Sequence, residues 1–176
     1  MLRNVVVAVC LVSMLRAARA DEADPGISST AKAGFILELL IPDFRVERSF
    51  TEDTTRYTLA VPFAVHAGDV VAGSQRIGFN HVAEIQYVIG DNVWRGSLGE
   101  RFQLADRRSD TIAPMPIFEL GGVFGADGYG GAIATGLTLG DASLGSHMGF
   151  VVRYVVTNRE TRADVGFDFQ IPLNGL

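Results

Sequence analysis

The sequence predicts an all-β protein, an antiparallel up-and-down transmembrane β-barrel of about eight strands. Large apolar residues alternate with polar or small ones in segment after segment, several of these segments are about ten residues long, and an export signal precedes them. The alternation is clearest near the end of the chain, where Phe167, Phe169, Ile171 and Leu173 share one face of a strand. A strand of this kind has one apolar face and one polar face.

The first twenty residues have the pattern of an export signal. Arg3 supplies a positive charge, residues 5–15 form a short apolar run, and Ala18-Arg19-Ala20 is a small-x-small cleavage site. The run is shorter than the roughly 20 apolar residues that a helix needs to cross a bilayer, which favours a cleaved signal over an anchor. The predicted division of the chain is a signal peptide at 1–20, a flexible extension at 21–32 and a β-barrel domain at 33–176.

Composition excludes several classes of function. Three of the 15 basic residues lie in the signal, so its removal leaves 12 against 20 acidic residues and moves the net charge from -5 to -8. A chain so acidic is a poor partner for nucleic acid. The single cysteine, Cys10, lies inside the signal behind Val9, which is not the small residue that lipid attachment requires. The mature chain therefore has no cysteine for disulfides or thiol chemistry.

Eight segments carry the two-residue period, and in each the large residues fall on one face. They are 34–41 with Phe35, Leu37 and Leu39; 57–66 with Tyr57, Leu59 and Phe63; 77–89 with Ile77, Phe79 and Ile85; 94–104 with Trp94, Leu98 and Phe102; 118–124 with Phe118 and Leu120; 130–139 with Ile133 and Leu137; 149–157 with Phe150, Val152 and Tyr154; and 166–173 with Phe167 and Phe169. Turn residues separate them at 41–43, 67–69, 89–92, 126–128, 139–141 and 158–160. No segment outside the signal has a helical period.

Alternation by itself fits either a soluble sandwich or barrel with its apolar face inside or a membrane barrel with that face outside. Several segments approach the roughly 9 to 11 residues of a tilted membrane strand. Their polar faces are rich in glycine, alanine, serine and scattered single charges, with few of the dense Lys and Glu stripes of a water-facing sheet, which suits a narrow lumen. Tyr57, Trp94, Tyr129 and Tyr154 fall toward strand ends, where interfacial aromatic residues lie in membrane barrels. Together these features favour an apolar face in contact with lipid.

The charged residues within the segments fall on the faces opposite the bulky side chains. The predicted network comprises Glu38, Glu84, Arg95, Arg101, Glu119, Arg153 and Asp168. Because an eight-stranded barrel holds little more than side chains, acids and bases that pair across the lumen would plug it. The alternative is that they are solvent-facing charges of a soluble sheet. His81 and Glu100 are exceptions, since they interrupt the apolar side.

The sequence offers little chemistry for a catalytic, metal or cofactor site. His66, His81 and His147 are far apart and lack ligand spacing, so neither a metal nor a cofactor is expected. Ser146-His147 invites comparison with outer-membrane lipid A deacylases, but the order is the reverse of their His-x-Ser arrangement. The glycine-rich stretch at 121–140 has no nucleotide-binding spacing and no following helix. We therefore expect a protein that is not an enzyme.

The final hairpin carries the clearest likeness to a known family. Residues 149–154 and 164–169 resemble the closing strands and assembly signal of small bacterial outer-membrane β-barrel proteins, those grouped with the OmpA barrel domain and OmpX. The resemblance implies an outer-membrane location and, as partners, the lipid bilayer and the barrel-assembly machinery. Outward loops are usually long in that family, and residues 43–53 are the one long outward segment expected here.

These observations favour a structural, adhesive or surface-interaction protein of the outer membrane rather than a wide pore. One alternative is a secreted soluble lipocalin-like barrel that holds a small hydrophobic ligand inside. Another is a barrel enzyme that modifies lipid.

Overall fold

The computed structural model describes residues 42–106, 113–141 and 146–170, and these residues form eight β-strands. The strands are β1 (Asp43–Ser49), β2 (Thr54–Ala72), β3 (Gln75–Ile89), β4 (Val93–Asp106), β5 (Ala113–Gly125), β6 (Gly128–Asp141), β7 (Ser146–Thr157) and β8 (Thr161–Gln170). No helix among the described residues is long and apolar enough to cross a membrane. The predicted signal and extension lie outside these residues, so both stay predictions.

The strands form a closed antiparallel barrel in sequence order, with each strand paired to its neighbours along the chain. Closure is made by β1, which pairs with β2 from Asp43 opposite Ala60 and with β8 from Arg45 opposite Gly166. A closed sheet has no free edge strand. Here β1 closes it by pairing with residues 54–60 of β2 and 162–166 of β8. The predicted fold class, an all-β barrel of eight antiparallel strands, is confirmed.

The position of β1 corrects one prediction. Residues 43–53 were expected to be a long outward loop, but residues 43–49 form the strand that closes the barrel. The charges of Asp43, Arg45 and Glu47 are typical of a loop, yet all three are buried and alternate with exposed neighbours. A strand with charged residues on its inner face is stable here because β2, β3, β4 and β8 supply their partners. The predicted first strand, 34–41, lies outside the described residues.

The second correction concerns the turn predicted at 67–69. These residues lie inside β2, which continues to Ala72, and the pairing with β3 shifts by one residue between His66 and Gly68. Such a β-bulge adds one residue to one strand without ending the ladder. Gly68 has a φ of 141°, a backbone conformation that glycine adopts without steric cost. The glycine therefore marks a bulge instead of a turn. A turn was also predicted at 139–141, but β6 continues to Asp141.

The inner and outer faces of the barrel wall differ in burial. Inward residues of β1 and β8 are buried at every second position, and the intervening residues are exposed or half-buried. One side of the interior is apolar, where Ile117, Ala134 and Val151 form a small cluster beside Met115. Polar and charged side chains fill much of the remaining interior. The bulky residues of the predicted strands are on the outside.

Candidate functional site

The barrel interior holds six of the seven residues predicted to form a polar network. Glu84, Arg95, Arg101, Glu119, Arg153 and Asp168 are all 5% exposed or less. The seventh, Glu38, lies outside the described residues. The structure joins these six side chains to others in two groups, which we call the middle cluster and the turn-end cluster. The functional role predicted for the network stays a prediction.

The middle cluster is built around Arg45. Its Nη2 atom lies 3.4 Å from a carboxylate oxygen of Asp43 and 3.7 Å from one of Asp168, and it also contacts Glu84. Its Nη1 atom donates to Glu84 across 2.8 Å. Carboxylate oxygens of Asp43, Glu84 and Asp168 lie within 4.8 Å of one another, a spacing that would suit a metal ion. The Arg45 guanidinium contacts all three of these carboxylates.

A chain of ion pairs extends from Glu84 across the lumen. Arg153 donates to Glu84 at 2.6 Å and to Glu119 at 3.1 Å, and Arg101 donates to Glu119 at 2.8 Å. Arg101 reaches Asp168 as well, at 2.7 Å. The partners come from β3, β4, β5, β7 and β8, so the network connects distant parts of the wall. A fork-shaped guanidinium can hold two carboxylates at once, which explains why arginine supplies the bases.

His147 belongs to this cluster. Its side chain is buried, with Nε2 2.9 Å from Asp168 and 3.0 Å from Arg101, and Nδ1 2.7 Å from Gln103. Both ring nitrogens are thus engaged by side chains of the network.

The turn-end cluster lies toward the end of the barrel where the β1–β2, β3–β4, β5–β6 and β7–β8 connections lie. Glu47 contacts Arg95, and it lies 3.2 Å from Arg162 and 3.3 Å from Arg56. Arg162 lies 2.9 Å from Asp127. The cleft lined by Arg95, Asp127 and Arg162 has no room for a water molecule. The paired side chains fill this end.

Glu160 belongs to the same cluster but lies in the turn between β7 and β8. It accepts a hydrogen bond from Arg56 across 2.6 Å. Burial raises the pKa of its carboxyl, but the Ser49 hydroxyl and the Arg56 guanidinium outweigh burial and hold that pKa below its ordinary value. The carboxylate is therefore the favoured form of Glu160 at neutral pH.

Sequence reasoning missed several members of both clusters. Asp43, Arg45 and Glu47 lie in the segment expected to be a loop, and Arg162 precedes the segment predicted as the last strand. The signal that could have found the first three was their own alternation with Phe44 and Val46. Arg162 and Asp164 share the inward face and alternate with Ala163, but alanine is too small to mark an apolar face.

The exterior is apolar over most of its surface. Among the large residues that lie at least 40% exposed are Val46, Ile85, Leu120, Ile133, Leu137, Phe150, Val152 and Phe167. Aromatic residues with polar atoms gather toward the turn end. Tyr87 and Trp94 pack with ring centroids 5.0 Å apart, and Tyr57 stacks on Phe44 at 5.8 Å. An apolar band edged by tyrosine and tryptophan is the exterior that a membrane barrel requires.

One polar pair interrupts this exterior. His81 of β3 and Glu100 of β4 are directly opposite each other, and the Nδ1 atom of the histidine lies 2.7 Å from a carboxylate oxygen. Their side chains are 59% and 50% exposed. The sequence had marked both residues as exceptions on the apolar face, and the structure brings them together.

Comparison with known proteins gives a fold and no family. No family model matches the chain, and no curated protein matches it in sequence. Among solved structures, the crystal structure of the outer membrane enzyme PagL is similar, with a TM-score of 0.57 and 14% sequence identity. The alignment covers 74% of this chain and 98% of the PagL chain. At this identity the similarity establishes the barrel architecture alone.

This comparison bears on three predictions. It supports the coarser resemblance to small outer-membrane barrels, whereas the grouping with the OmpA barrel domain and OmpX stays a prediction. The outer-membrane location agrees with the neighbour and with the apolar exterior. The prediction that the protein is not an enzyme is contradicted, because the similar barrel of PagL is an enzyme. A barrel of this architecture can carry catalysis, so neither the fold nor a plugged lumen excludes it.

Proposed function

We propose that the chain is an integral outer-membrane β-barrel with a closed lumen, and that it acts through its exterior and its ends in a surface-interaction role. The observation that supports this best is the inverted polarity of the wall. Arg45, Arg101 and Arg153 are buried inside, whereas Phe150 and Leu137 are more than 60% exposed outside. In water this arrangement would expose most of the apolar surface, while in a bilayer it places that surface against hydrocarbon.

The closed lumen argues against a pore. Ion pairs join side chains from different strands in both described clusters, and the interior of an eight-stranded barrel is about wide enough for side chains to fill. The lipocalin-like alternative requires an apolar cavity around a ligand. The described interior instead holds paired charges where that ligand would lie. Recognition by the barrel-assembly machinery remains part of this proposal, because it follows from the family resemblance.

Neighbouring valines of β7 allow a matched test of the proposed placement. Val152 is 49% exposed and Val151 is 5% exposed, so single cysteines at the two positions differ in the face they occupy. In reconstituted protein otherwise free of cysteine, a lipid-soluble maleimide should label Val152→Cys and spare Val151→Cys. Planar bilayers containing the wild-type protein should show no channel conductance. A protein that stays soluble without detergent, or equal labelling at both positions, would contradict the proposal.

A further inference from the structure

We propose that the exterior pair of His81 and Glu100 is the contact through which two copies of this chain associate side by side in the membrane. The inference rests on the proposed transmembrane placement and goes beyond it. Both side chains face outward, so the filling of the lumen does not explain their presence. Among the described side chains, these are the only titratable groups on the outward face of a strand away from the strand ends.

The depth of the pair places it within the apolar band. His81 is six residues from Tyr87, and Glu100 is six residues from Trp94, which corresponds to about 20 Å along a strand at roughly 3.3 Å per residue. With strands tilted by roughly 35–45°, the pair lies about 15 Å from the aromatic edge of a band about 25 Å tall. On the far side of the pair, Phe79 and Phe102 pack edge to face at 5.4 Å. Apolar side chains thus lie on both sides of the pair along the barrel axis.

This depth decides between two uses of a histidine–carboxylate pair. A pair that acted on lipid esters would have to lie at the level of those esters, near the edge of the band. His81 and Glu100 instead lie where acyl chains are the ordinary neighbours. Ionisable groups at such depth are expected to face protein or water. A protein surface with matching polar groups is therefore a better neighbour for the pair than acyl chains.

A second copy of the chain supplies that surface by symmetry. In a two-fold contact the same patch faces itself, so the His81 of one copy meets the Glu100 of the other and the reverse. The contact within one chain uses Nδ1 of His81 and one oxygen of Glu100. The imidazole and the carboxylate each have a second polar atom for a bond between copies. In the imidazolium form both ring nitrogens donate, so Nδ1 bonds the carboxylate of its own chain, Nε2 bonds the carboxylate of the other copy, and each carboxylate accepts both bonds.

Small outward residues lie near the pair, between larger ones such as Leu120, which is directly opposite Glu100. Ala83 is the next outward residue on β3, and Gly122 and Gly131 face each other across β5 and β6. A Cβ atom built on Gly122 or Gly131 would meet only one backbone oxygen, at 3.8 Å in each case. Small residues let two membrane surfaces come together until polar side chains can bond.

Disulfide cross-linking tests the contact with a control on the opposite wall. Ala83→Cys lies beside the pair, and Val152→Cys lies on β7, four strands away around the barrel. In vesicles that contain the reconstituted full chain, otherwise free of cysteine, mild oxidation should convert Ala83→Cys to dimer and leave Val152→Cys monomeric. Equal cross-linking at the two positions would overturn the proposal.

Substitution of the pair tests the chemistry. Glu100→Leu should weaken dimerisation by about tenfold, the effect of losing two hydrogen bonds of the strength measured between membrane segments. The exchanged variant, H81E with E100H, keeps the complementarity and should restore the dimer. Dimers that persist in Glu100→Leu, or an exchanged variant that stays monomeric, would overturn the proposal.

Heat-dependent mobility in SDS separates this inference from the proposed function. A folded barrel that shifts on boiling but remains monomeric at all protein-to-lipid ratios overturns the self-association alone. A wild-type protein that shows no shift and stays out of the membrane overturns both. A monomer that releases fatty acid from the vesicles would assign the pair to lipid chemistry and likewise overturn the proposal.

Discussion

Val152 and Arg153 are adjacent in β7 and have opposite environments. The valine is 49% exposed on the exterior, and the arginine is 1% exposed in the lumen, where it contacts Glu84 and Glu119. The comparison extends over much of the wall, since the outside is mostly apolar and much of the inside is charged. It shows that this barrel satisfies its charges by pairing across the lumen, while its apolar residues need an apolar surrounding. The two faces should therefore respond differently to the same kind of substitution.

The largest effect is expected where one partner is removed from the lumen. Glu84→Ala should lower the free energy of unfolding by about 3–5 kcal/mol, because Arg45 and Arg153 would be left buried without their shared carboxylate. Unfolding by urea in detergent measures the change. Glu52→Ala is the control, since that carboxylate is 57% exposed in its ion pair and its loss should cost less than about 1 kcal/mol. Similar losses in the two variants would contradict a lumen held by buried pairs.

The exterior is tested by placing a charge on it. Val152→Arg should cost about 2–4 kcal/mol, as expected for an arginine near the middle of the hydrocarbon. Tyr129→Arg lies at the second residue of β6, next to a turn, and should cost about 0–1 kcal/mol. The same unfolding assay in lipid distinguishes them. If the penalty did not depend on depth, the exterior would not be a lipid-facing band.

A smaller effect is expected where the backbone makes room for the network. A Cβ atom on Gly166 would lie 2.3 Å from Cγ of Arg45 and 2.7 Å from the Phe44 carbonyl oxygen. Gly166→Ala should therefore cost about 1–3 kcal/mol through overpacking. Gly122→Ala adds the same methyl group on the open exterior and should stay within about 0.5 kcal/mol of the wild type. Equal stabilities for the two variants would show that Arg45 can move aside freely.

The smallest effect is the contribution of Glu160 to acid sensitivity. Because its pKa is lower in the folded protein than its ordinary value of 4.5, its carboxylate stabilises the fold above that value. This stabilisation is lost as pH falls through the lower, folded pKa. The difference in unfolding free energy between wild type and Glu160→Gln should shrink as the pH is lowered from 6 to below 4.5. A difference that stays constant with pH would exclude this role for the carboxylate.

The sequence by itself determined the two faces of the wall. Strand residues alternate between faces, so the parity of Glu84, Arg101 and Arg153 against their bulky neighbours separates the charged face from the apolar one without knowledge of the fold. The same local period predicted an eight-stranded barrel. It also identified His81 and Glu100 as exceptions, because a charge within an apolar series is visible in the sequence alone.

Only the tertiary structure decided which residues meet. Arg45 and Glu84 are 39 positions apart and Arg101 and Asp168 are 67 apart, so their pairing depends on the register and on how the barrel closes. Residues 43–49, which the sequence predicted as part of a loop, form β1 because they pair with β2 and β8 to close the barrel. A periodic pattern reports the face of each residue, but the partner across the lumen is set by strand tilt and stagger, which are properties of the closed sheet as a whole.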